Sequence, residues 1–393
     1  MNMMNNEVKE QLIGNIIPFW KSLKDDKYGG FYGEVNHDLE ILPRSIKGGI
    51  LNSRILWFFS NAYITLNDEE CLKYADHAYT FLRDYFIDKE LGGVYWSLTY
   101  DGKAKDDSKH TYNQAFAIYG LASYYDATSN KEALNLAYQL MDKVESLCKD
   151  QGGYLEAFDR EFKPQDNEKL SENGVMANRT MNTLLHVLEA YTELYRVDKS
   201  EEVAGHIRFM LDLFADKIYN KKLRRLDVFF DKDWNCIIDL NSYGHDIEAS
   251  WLVDRACEVL DEEKYTKKIT KITKDLADHI HSVGLDEGSS LYNECENGII
   301  DTKKVWWVQA EAIIGFVNGY QKDISRTDYL ATARRIWDYT MKYMIDKRPG
   351  GEWFNELYKE GNPIENKEIV GPWKCPYHNG RMCFEIINRK VEF

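Results

Sequence analysis

The sequence lacks the features that mark membrane, secreted and disulfide-bonded proteins. No run of residues approaches the 18 or more apolar positions that a membrane-spanning helix needs. Residues 1–10 carry charges at Glu7, Lys9 and Glu10, where a signal peptide would be apolar. The seven cysteines are scattered without a Cys-x-x-Cys pair, so we expect reduced thiols and neither a disulfide framework nor a zinc site. These absences predict a cytoplasmic protein without a membrane partner.

Proline is scarce, at seven residues in 393, and no linker or low-complexity segment divides the chain. Because 44% of the residues are apolar, the chain can bury a large core, and we predict one domain over residues 1–393. Acidic residues outnumber basic ones by 65 to 50, and the net charge is −15. Such a surface repels phosphate groups, which predicts no nucleic-acid partner and favours a small neutral substrate.

Aromatic residues are abundant, with 10 Trp, 26 Tyr and 17 Phe, and many of them lie in a repeated Gly-Gly-aromatic element. Clear copies occupy 29–32, 92–96, 152–154 and 350–354, and degenerate copies lie at 226–230 and 289–294. The first copies are 63 and 60 residues apart, and the interval from 153 to 351 divides into three steps of 66. Six units are therefore predicted, each with a small hairpin whose turn is supplied by glycine.

Between these elements the apolar residues follow a helical period. The predicted helices span 6–23, 47–66, 69–87, 108–127, 131–148, 174–196, 199–218, 244–260, 263–283, 303–322, 326–346 and 371–388. Twelve helices in six pairs favour an all-α closed ring, with inner helices that are apolar nearly all round and amphipathic outer helices. An open solenoid is the alternative, but it should have polar capping repeats, and neither end shows one.

Each inner helix carries polar and aromatic residues in its N-terminal half. They are Asn52–Arg54, Tyr112–Gln114, Asn178, Arg179, Asn182, His186, Glu189, Tyr243–Glu248, Trp306–Glu311 and Trp373–Arg381. In a ring these positions converge on one mouth, where the helix dipoles favour developing negative charge. This agreement between six helices is the strongest functional signal in the sequence.

Three histidines, His186, His245 and His378, lie on three of these helices and could surround one small molecule. Asn182 shares a helical face with His186, and Glu248 shares one with His245. A carboxylate one turn from an imidazole can orient the ring and raise its basicity. Such histidines can take or give a proton at neutral pH.

Structural roles compete with these functional ones. A single inner-helix histidine is more often a hydrogen-bonded core residue, and Trp306, Trp307 and Trp373 could either fill the core or stack on sugar rings. Arg54 could pair with a buried carboxylate or bind a substrate oxygen. No His-Glu-x-x-His pattern, carboxylate cage or phosphate-binding glycine loop is present, so neither a metal nor a nucleotide is predicted.

These residues resemble the N-acylglucosamine 2-epimerase family, most closely its cellobiose 2-epimerase branch. The likeness covers essentially the whole chain and is carried by IIPFWKSLKDDKYGGFYG, LNSRILWFFSNAY, LSENGVMANRTMNTLLHVLEAY, SYGHDIEASWL, WWVQAEA and WKCPYHNGRMCFEI. The resemblance implies an (α/α)6 barrel and a cofactor-independent isomerase. The implied reaction is reversible inversion at C2 of the reducing-end sugar of β-1,4-linked disaccharides, such as cellobiose to glucosyl-mannose, lactose to epilactose, and mannobiose in reverse. This branch and the negative charge together favour a monomer.

The resemblance also assigns roles to residues at matching positions. It implies that His245 and His378 are the general acid/base pair and that His186 hydrogen-bonds the open-chain intermediate. Arg54, Tyr112, Asn182 and Glu248 match positions around the reacting C1–C2 segment. Trp307 and Trp373 match aromatics that hold the two sugar rings, with Trp306 as the other candidate beside Trp307, and Glu311 matches a supporting position.

Three other functions remain open on the sequence. A glycoside hydrolase needs two carboxylates flanking the scissile bond, for which Glu248 and Glu311 could be offered. An aldose–ketose isomerase would share the enediolate intermediate, and a non-catalytic sugar-binding barrel would explain the tryptophans but not the histidines. If histidines are the bases, activity should fall below roughly pH 6 as they protonate.

Overall fold

The computed structural model describes residues 3–167, 169, 173–287 and 289–391, and within these it has twelve helices when segments that run on without a break are counted as one. The inner helices are α2 (Gly49–Leu66), α4 (Thr111–Thr128), α6 (Met181–Asp198), α8 (Tyr243–Leu260), α10 (Trp306–Lys322) and α12 (Tyr377–Arg389). The outer helices are α1 (3–22), α3 (69–86), α5 (Lys131–Leu147), α7 (201–218), α9 (Glu263–Val283) and α11 (327–344). Four outer helices contain a wider π turn, at Leu12–Ile16, Leu82–Phe86, Phe214–Ile218 and Thr340–Met344.

Inner and outer helices differ in burial as their apolar patterns predict. Residues 49–60 of α2 are buried without interruption. In α3 the buried positions Cys71, Ala75, Ala78 and Leu82 recur every three or four residues, which leaves one face to solvent. None of the described helices is both long and apolar enough to span a bilayer.

The six inner helices form a closed ring. Each packs against the next, from α2 through α4, α6, α8 and α10 to α12, and α12 packs back on α2. The outer helix α1 pairs with α12, so the sixth unit is built from the two ends of the chain. The predicted all-α (α/α)6 barrel is therefore confirmed in the described part of the chain.

Short turns join the two helices of most pairs at one end of the barrel. After α2, Asn67 adopts a left-handed conformation (φ 54°), and the side chain of Asp68 caps α3 by accepting the backbone N–H of Glu70. After α4, Ser129 is left-handed (φ 58°) and the side chain of Asn130 caps α5. The turn residues read from the sequence thus act locally, by ending one helix and capping the next.

At the other end, long loops carry seventeen short strands within the described residues. They are β1 (Lys47–Gly48), β2 (Ser97–Leu98), β3 (Ala104–Asp106), β4 (Lys109–His110), β5 (Ala157–Phe158), β6 (Pro164–Gln165), β7 (Arg179–Thr180), β8 (Tyr219–Asn220), β9 (Arg225–Leu226), β10 (Phe229–Phe230), β11 (Leu240–Ser242), β12 (Leu285–Asp286), β13 (Ser290–Leu291), β14 (Glu294–Glu296), β15 (Ile299–Asp301), β16 (Lys304–Val305) and β17 (Glu356–Leu357). We call this end of the barrel the mouth.

Small antiparallel sheets tie each unit to the next around the mouth. The strand before each of five inner helices pairs with a strand of the following loop: β1 with β2, β4 with β5, β7 with β10, β11 with β14, and β16 with β17. A bridge between Val35 and Val370 completes the circle. The loops therefore close into a ring above the helices.

The Gly-Gly-aromatic elements form the predicted hairpins directly after the outer helices. Lys24 pairs with Phe31 in the first unit, for example, and Ile87 with Val94 in the second. At Gly30 the backbone is left-handed (φ 64°) and lies against the ring of Phe81, so a side chain would be strained there and would collide with it.

Two inner helices begin later than predicted. Helix α6 starts at Met181 instead of 174, and α12 starts at Tyr377 instead of 371. Before α6, residues 179–180 form a strand in which Arg179 pairs with Phe230. Before α12, residues 371–376 are irregular, with bends, and the helix begins directly after Pro376. As a result, Trp373 lies in a loop at the mouth and not on the sixth inner helix.

Candidate active site

The structure brings the three predicted histidines together at the mouth. The ring centres of His245 on α8 and His378 on α12 lie 4.7 and 5.4 Å from the same ring, that of Trp307 on α10. The phenol ring of Tyr377 lies 4.5 Å from His378 and 6.2 Å from His186 on α6. Three imidazoles from three separate helices thus surround one region.

His186 is oriented by a carboxylate on its own helix. Its Nδ1 donates to Glu189 Oε2 at 2.8 Å. Although burial opposes ionisation, Arg381 and His186 lower the pKa of Glu189 to about 2, so this carboxylate is charged and can only accept. The hydrogen of His186 is therefore on Nδ1, and Nε2 keeps its lone pair.

His378 is oriented by a carboxylate from another helix. Its Nδ1 lies 2.7 Å from Oε1 of Glu311 on α10. Arg381 donates to the same oxygen at 2.7 Å, and the indole N–H of Trp251 donates to Glu311 Oε2 at 2.9 Å. Because both oxygens already accept N–H groups, His378 donates from Nδ1 and its Nε2 is free to act as a base.

His245 has a different partner from the one its spacing suggests. Its Nδ1 lies 2.8 Å from the hydroxyl oxygen of Ser242, and Glu248 instead accepts a hydrogen bond from Arg381. The interpretation that Glu248 orients His245 is therefore wrong. Residues three apart share a helical face, but the charge of Arg381 draws the carboxylate away from the neutral imidazole.

Arg381 is the centre of a buried charged network. Its guanidinium binds Glu189, Glu248 and Glu311, and the side chain is 2% exposed. One positive charge faces three carboxylates, so burial and the neighbouring Glu311 raise the pKa of Glu248 to about 8, and burial raises that of Glu311 to about 7. This excess of carboxylates favours retention of a proton near neutral pH, and Glu248 Oε2 has no hydrogen-bond partner among the described residues.

The same carboxylates are the candidate ligands for a metal ion. Ligand atoms of Glu248, Glu311 and His378 lie within 4.8 Å of one another. Arg381 donates to both carboxylates, so a cationic side chain of the protein already occupies the position between them. The donor set therefore fits a guanidinium better than a metal ion.

Burial keeps the three histidines neutral. It lowers the pKa of His186 to about 4 and, together with the nearby His186, which opposes a second positive charge, that of His245 to about 3. Burial and the cationic Arg381 lower the pKa of His378 well below its usual range. The expected loss of activity below roughly pH 6 thus rests on unperturbed imidazoles, and the structure moves it to lower pH.

Arg54 and Tyr112 form a second polar group at the mouth. Arg54 Nη2 donates to the Tyr112 hydroxyl at 2.9 Å, and its guanidinium lies 4.0 Å from the ring centre of Phe116. Its other amino nitrogen contacts Cys375 Sγ at 3.6 Å. No carboxylate binds this arginine among the described residues, and its Nε has no partner there. Of the two roles considered for Arg54, this placement favours binding a substrate oxygen.

The aromatic candidates differ in exposure. Trp306 is 3% exposed and packs on His378 and the ammonium group of Lys374, whereas Trp307 keeps part of its surface free. Trp373 is 38% exposed and lines a cavity of about 240 Å³ with Trp96 and Lys169. Of the three predicted tryptophans, Trp307 and Trp373 therefore offer surface to a ligand.

Asn182 lies one turn before His186 on α6 and is half-buried. Its Oδ1 is buried and has no hydrogen-bond partner within the described ranges. An unpaired buried acceptor is costly, so this oxygen is suited to a donor from a bound molecule.

The family model for N-acylglucosamine 2-epimerase (GlcNAc 2-epimerase) matches residues 30–380. The chain belongs to this family.

Relatives of the chain within the N-acylglucosamine 2-epimerase family carry a more specific name. Cellobiose 2-epimerase from Ruminococcus albus is 50% identical, over 99% of this chain and 100% of the relative. A crystal structure of a sugar epimerase from a ruminal bacterium has a TM-score of 0.98 at 49% identity, covering 99% of this chain and 100% of that one. The structure of cellobiose 2-epimerase from Bacillus thermoamylovorans has a TM-score of 0.95 at 48% identity, with the same coverage.

Sequence reasoning missed the residues that hold the histidines in this member of the N-acylglucosamine 2-epimerase family. Tyr377 and Arg381 lie in the polar segment 373–381, but the sequence predicts no role for either of them, and it predicts none for Ser242. For Arg381 a signal was present, because a charged residue one turn after His378 on a buried inner helix needs a counter-charge. Ser242 gave no such signal, because a serine before a helix is usually a cap.

Proposed function

We propose that this protein is a cellobiose 2-epimerase, which inverts C2 of the reducing-end glucose or mannose of β-1,4-linked disaccharides. The observation that carries the proposal is that His245 and His378, from two different helices, both lie against Trp307 with neutral imidazole rings. Two separate neutral bases on either side of one aromatic ring suit removal of a proton from one face of a carbon and its return to the other.

The reaction begins with opening of the sugar ring, because only the open-chain aldehyde has an acidic C2 proton. One of the two histidines takes that proton on Nε2, and the electrons of the C2–H bond form a cis-enediolate across C1 and C2. Rotation about C2–C3 presents the opposite face, and the other histidine delivers a proton to C2. The aldehyde then closes again, so no atom is gained or lost.

The negative charge of the enediolate needs donors that are already in place. Arg54 and Tyr112 supply a guanidinium and a hydroxyl at the mouth. Nε2 of His186 and Oδ1 of Asn182, both on α6, can instead accept hydrogen bonds from the hydroxyl groups of the intermediate. The N-termini of the inner helices add their dipoles. Glu248, whose pKa burial and Glu311 raise to about 8, can hold a proton for a sugar oxygen, while Glu311 orients His378.

The two sugar rings would be held by the exposed aromatic surfaces. We assign Trp307 to the reacting sugar, because it lies between the two bases, and Trp373 to the second sugar, because it lines the neighbouring cavity. Trp306 is buried and supports the site by packing its ring on that of His378. Lactose and mannobiose share the β-1,4 linkage and are further candidate substrates.

The surroundings in which the enzyme would work are also proposals. The seven cysteines are all free thiols, which suits the reducing cytoplasm. The charge of −15 favours a monomer that does not bind nucleic acid or anionic membranes. The proposed proton transfers need only imidazole groups, so no cofactor is required for them.

Incubation with cellobiose in D2O, followed by proton NMR of the reducing-end sugar, tests the proposal. We expect a new mannose-type anomeric signal and deuterium at C2. Free glucose would instead establish a glycoside hydrolase, and a C2 ketose would establish an isomerase. Binding without any exchange at C2, for lactose, mannobiose and N-acetylglucosamine as well, would contradict an epimerase.

A further inference from the structure

The two proposed bases have unlike partners at Nδ1. His378 faces the carboxylate of Glu311, which Arg381 also binds. His245 faces the neutral hydroxyl of Ser242 at 2.8 Å. The mouth is therefore asymmetric at the two places where the reaction needs a base.

Ser242 is held firmly in this position. It is 5% exposed and lies at the end of β11, where it pairs with Glu294 of β14, directly before the first residue of α8. His245 is in the first turn of the same helix. The backbone on both sides of Ser242 is thus fixed by a sheet and a helix. The hydroxyl oxygen therefore stays beside His245, and only rotation of its hydrogen decides whether it donates to Nδ1 or accepts from it.

Resting on the proposed function, we propose that Ser242 is a positioning residue that holds His245 in the tautomer with a free Nε2. The hydroxyl oxygen accepts the Nδ1 hydrogen, which leaves the Nε2 lone pair for the C2 proton. When His245 has taken that proton, the same oxygen still accepts the Nδ1 hydrogen and stabilises the imidazolium.

Because Ser242 contacts His245 and not His378, its loss should affect a different proton transfer in each direction of the reaction. In one direction His245 removes the C2 proton, and in the other it returns it, through the same transition state. Loss of the Ser242 hydroxyl raises that transition state alone. The enzyme then has a slower first proton transfer in one direction and a slower second one in the other.

The test measures Ser242→Ala with C2-deuterated cellobiose and C2-deuterated glucosyl-mannose. We expect kcat/KM to fall by roughly tenfold, and by the same factor in both directions, as for loss of one buried hydrogen bond to the transition state. The substrate deuterium isotope effect should rise in one direction and fall in the other. In the direction in which the isotope effect falls, the substrate that is recovered unreacted should have lost more of its C2 deuterium to solvent than with the wild type. The direction in which the effect rises identifies the sugar from which His245 takes the proton.

Two variants serve as controls. Ser242→Thr keeps the hydroxyl and should restore the isotope effects of the wild type. Ser250→Ala removes another buried hydroxyl of α8, which donates to the carbonyl of Ile247 at 2.7 Å, and should leave them unchanged. If Ser242→Ala does not fold, Ser242→Cys gives the same comparison, since a thiol is a weak acceptor.

Equal changes of the isotope effect in both directions, or none, would overturn the role of Ser242, because general loosening of the site slows both proton transfers alike. Failure of the proposed function is a separate result. It would show as a wild-type enzyme that never exchanges the C2 hydrogen of either sugar.

Discussion

At one end of the barrel the two helices of a pair are joined by turns of two to four residues, whereas at the mouth loops of more than twenty residues lead to the next inner helix. Polar side chains at the turn end are paired locally, as Asp68 and Asn130 are with the helices that they cap. At the mouth, polar atoms of Arg54, Asn182 and Glu248 lack hydrogen-bond partners in the described part of the chain.

The comparison shows that polar side chains have different roles at the two ends of the barrel. Those at the turns satisfy the backbone and stabilise the fold, whereas those at the mouth carry an unpaired donor or acceptor that a bound molecule can satisfy. Substitutions at the mouth should therefore change activity more than stability, and substitutions at the turns the reverse. Four experiments can sharpen or break this contrast.

The largest effect is expected at the bases. His245→Ala and His378→Ala should each lower kcat by about 10²- to 10⁴-fold, because each removes a general acid/base. Initial rates with cellobiose and thermal unfolding curves provide the measurement, and the Tm should change little. His281→Ala, on outer helix α9, is the matched control and should keep its activity. Near-wild-type turnover in either of the first two variants would refute the assignment of the pair.

Arg381 is the expected exception at the mouth, because its substitution should lower both stability and activity. Arg381→Met leaves Glu189, Glu248 and Glu311 without their buried counter-charge, and we expect a loss of about 3–5 kcal/mol in the free energy of unfolding. Activity should also fall, because Glu189 and Glu311 orient two of the histidines. Urea unfolding measures the loss. Arg389→Met, on the same helix, removes a cation that pairs with Glu385 and none of the three carboxylates at the mouth, and should cost less than Arg381→Met.

The pH dependence separates the buried histidines from ordinary ones. Because burial lowers the pKa of His186 to about 4 and that of His245 to about 3, both stay neutral at pH 5, and kcat/KM should be retained there. The free energy of unfolding should decrease as the pH falls below about 6.5, because histidines in the unfolded chain bind protons there and the buried native histidines do not. Rates and urea midpoints from pH 4 to 8 test both statements, and a fall in rate with an apparent pKa near 6.5 would contradict the first.

The smallest effect is expected at a turn. Asn130→Ala removes the side chain that accepts the backbone N–H groups of Glu132 and Ala133, and should cost about 1 kcal/mol. Turnover should be unchanged, because this cap lies at the end opposite the mouth. Asn130→Asp keeps the cap and serves as control. A loss of activity without a loss of stability would show that the two ends are coupled.

The accuracy of the sequence predictions follows the same division. The helix pairs could be read from apolar period and turn residues, because Asn67 and Asp68 act on neighbouring backbone groups alone. The starts of α6 and α12 could not, since they depend on strand pairing and loop packing with distant residues.

Within the site, residue types indicated the convergence of the histidines but not their partners. His378 binds Glu311, 67 positions away, and Arg381 binds Glu189, 192 positions away. The spacing of His245 and Glu248 predicts a hydrogen-bonded pair, but Glu248 binds Arg381 instead. Helical periodicity specifies a face, and only the assembled ring decides which groups meet there.

The pairing of α1 with α12 also sets the order in which the protein can mature on the ribosome. The helix that carries His378 and Arg381 is the last of the twelve to be synthesised, and its partner α1 is the first. A nascent chain can stack the five units between them early, but α1 has no partner until α12, the last of these twelve helices, has emerged. Until then the proposed proton-transfer machinery is incomplete, so a growing chain cannot act on sugar before α12 has left the ribosome.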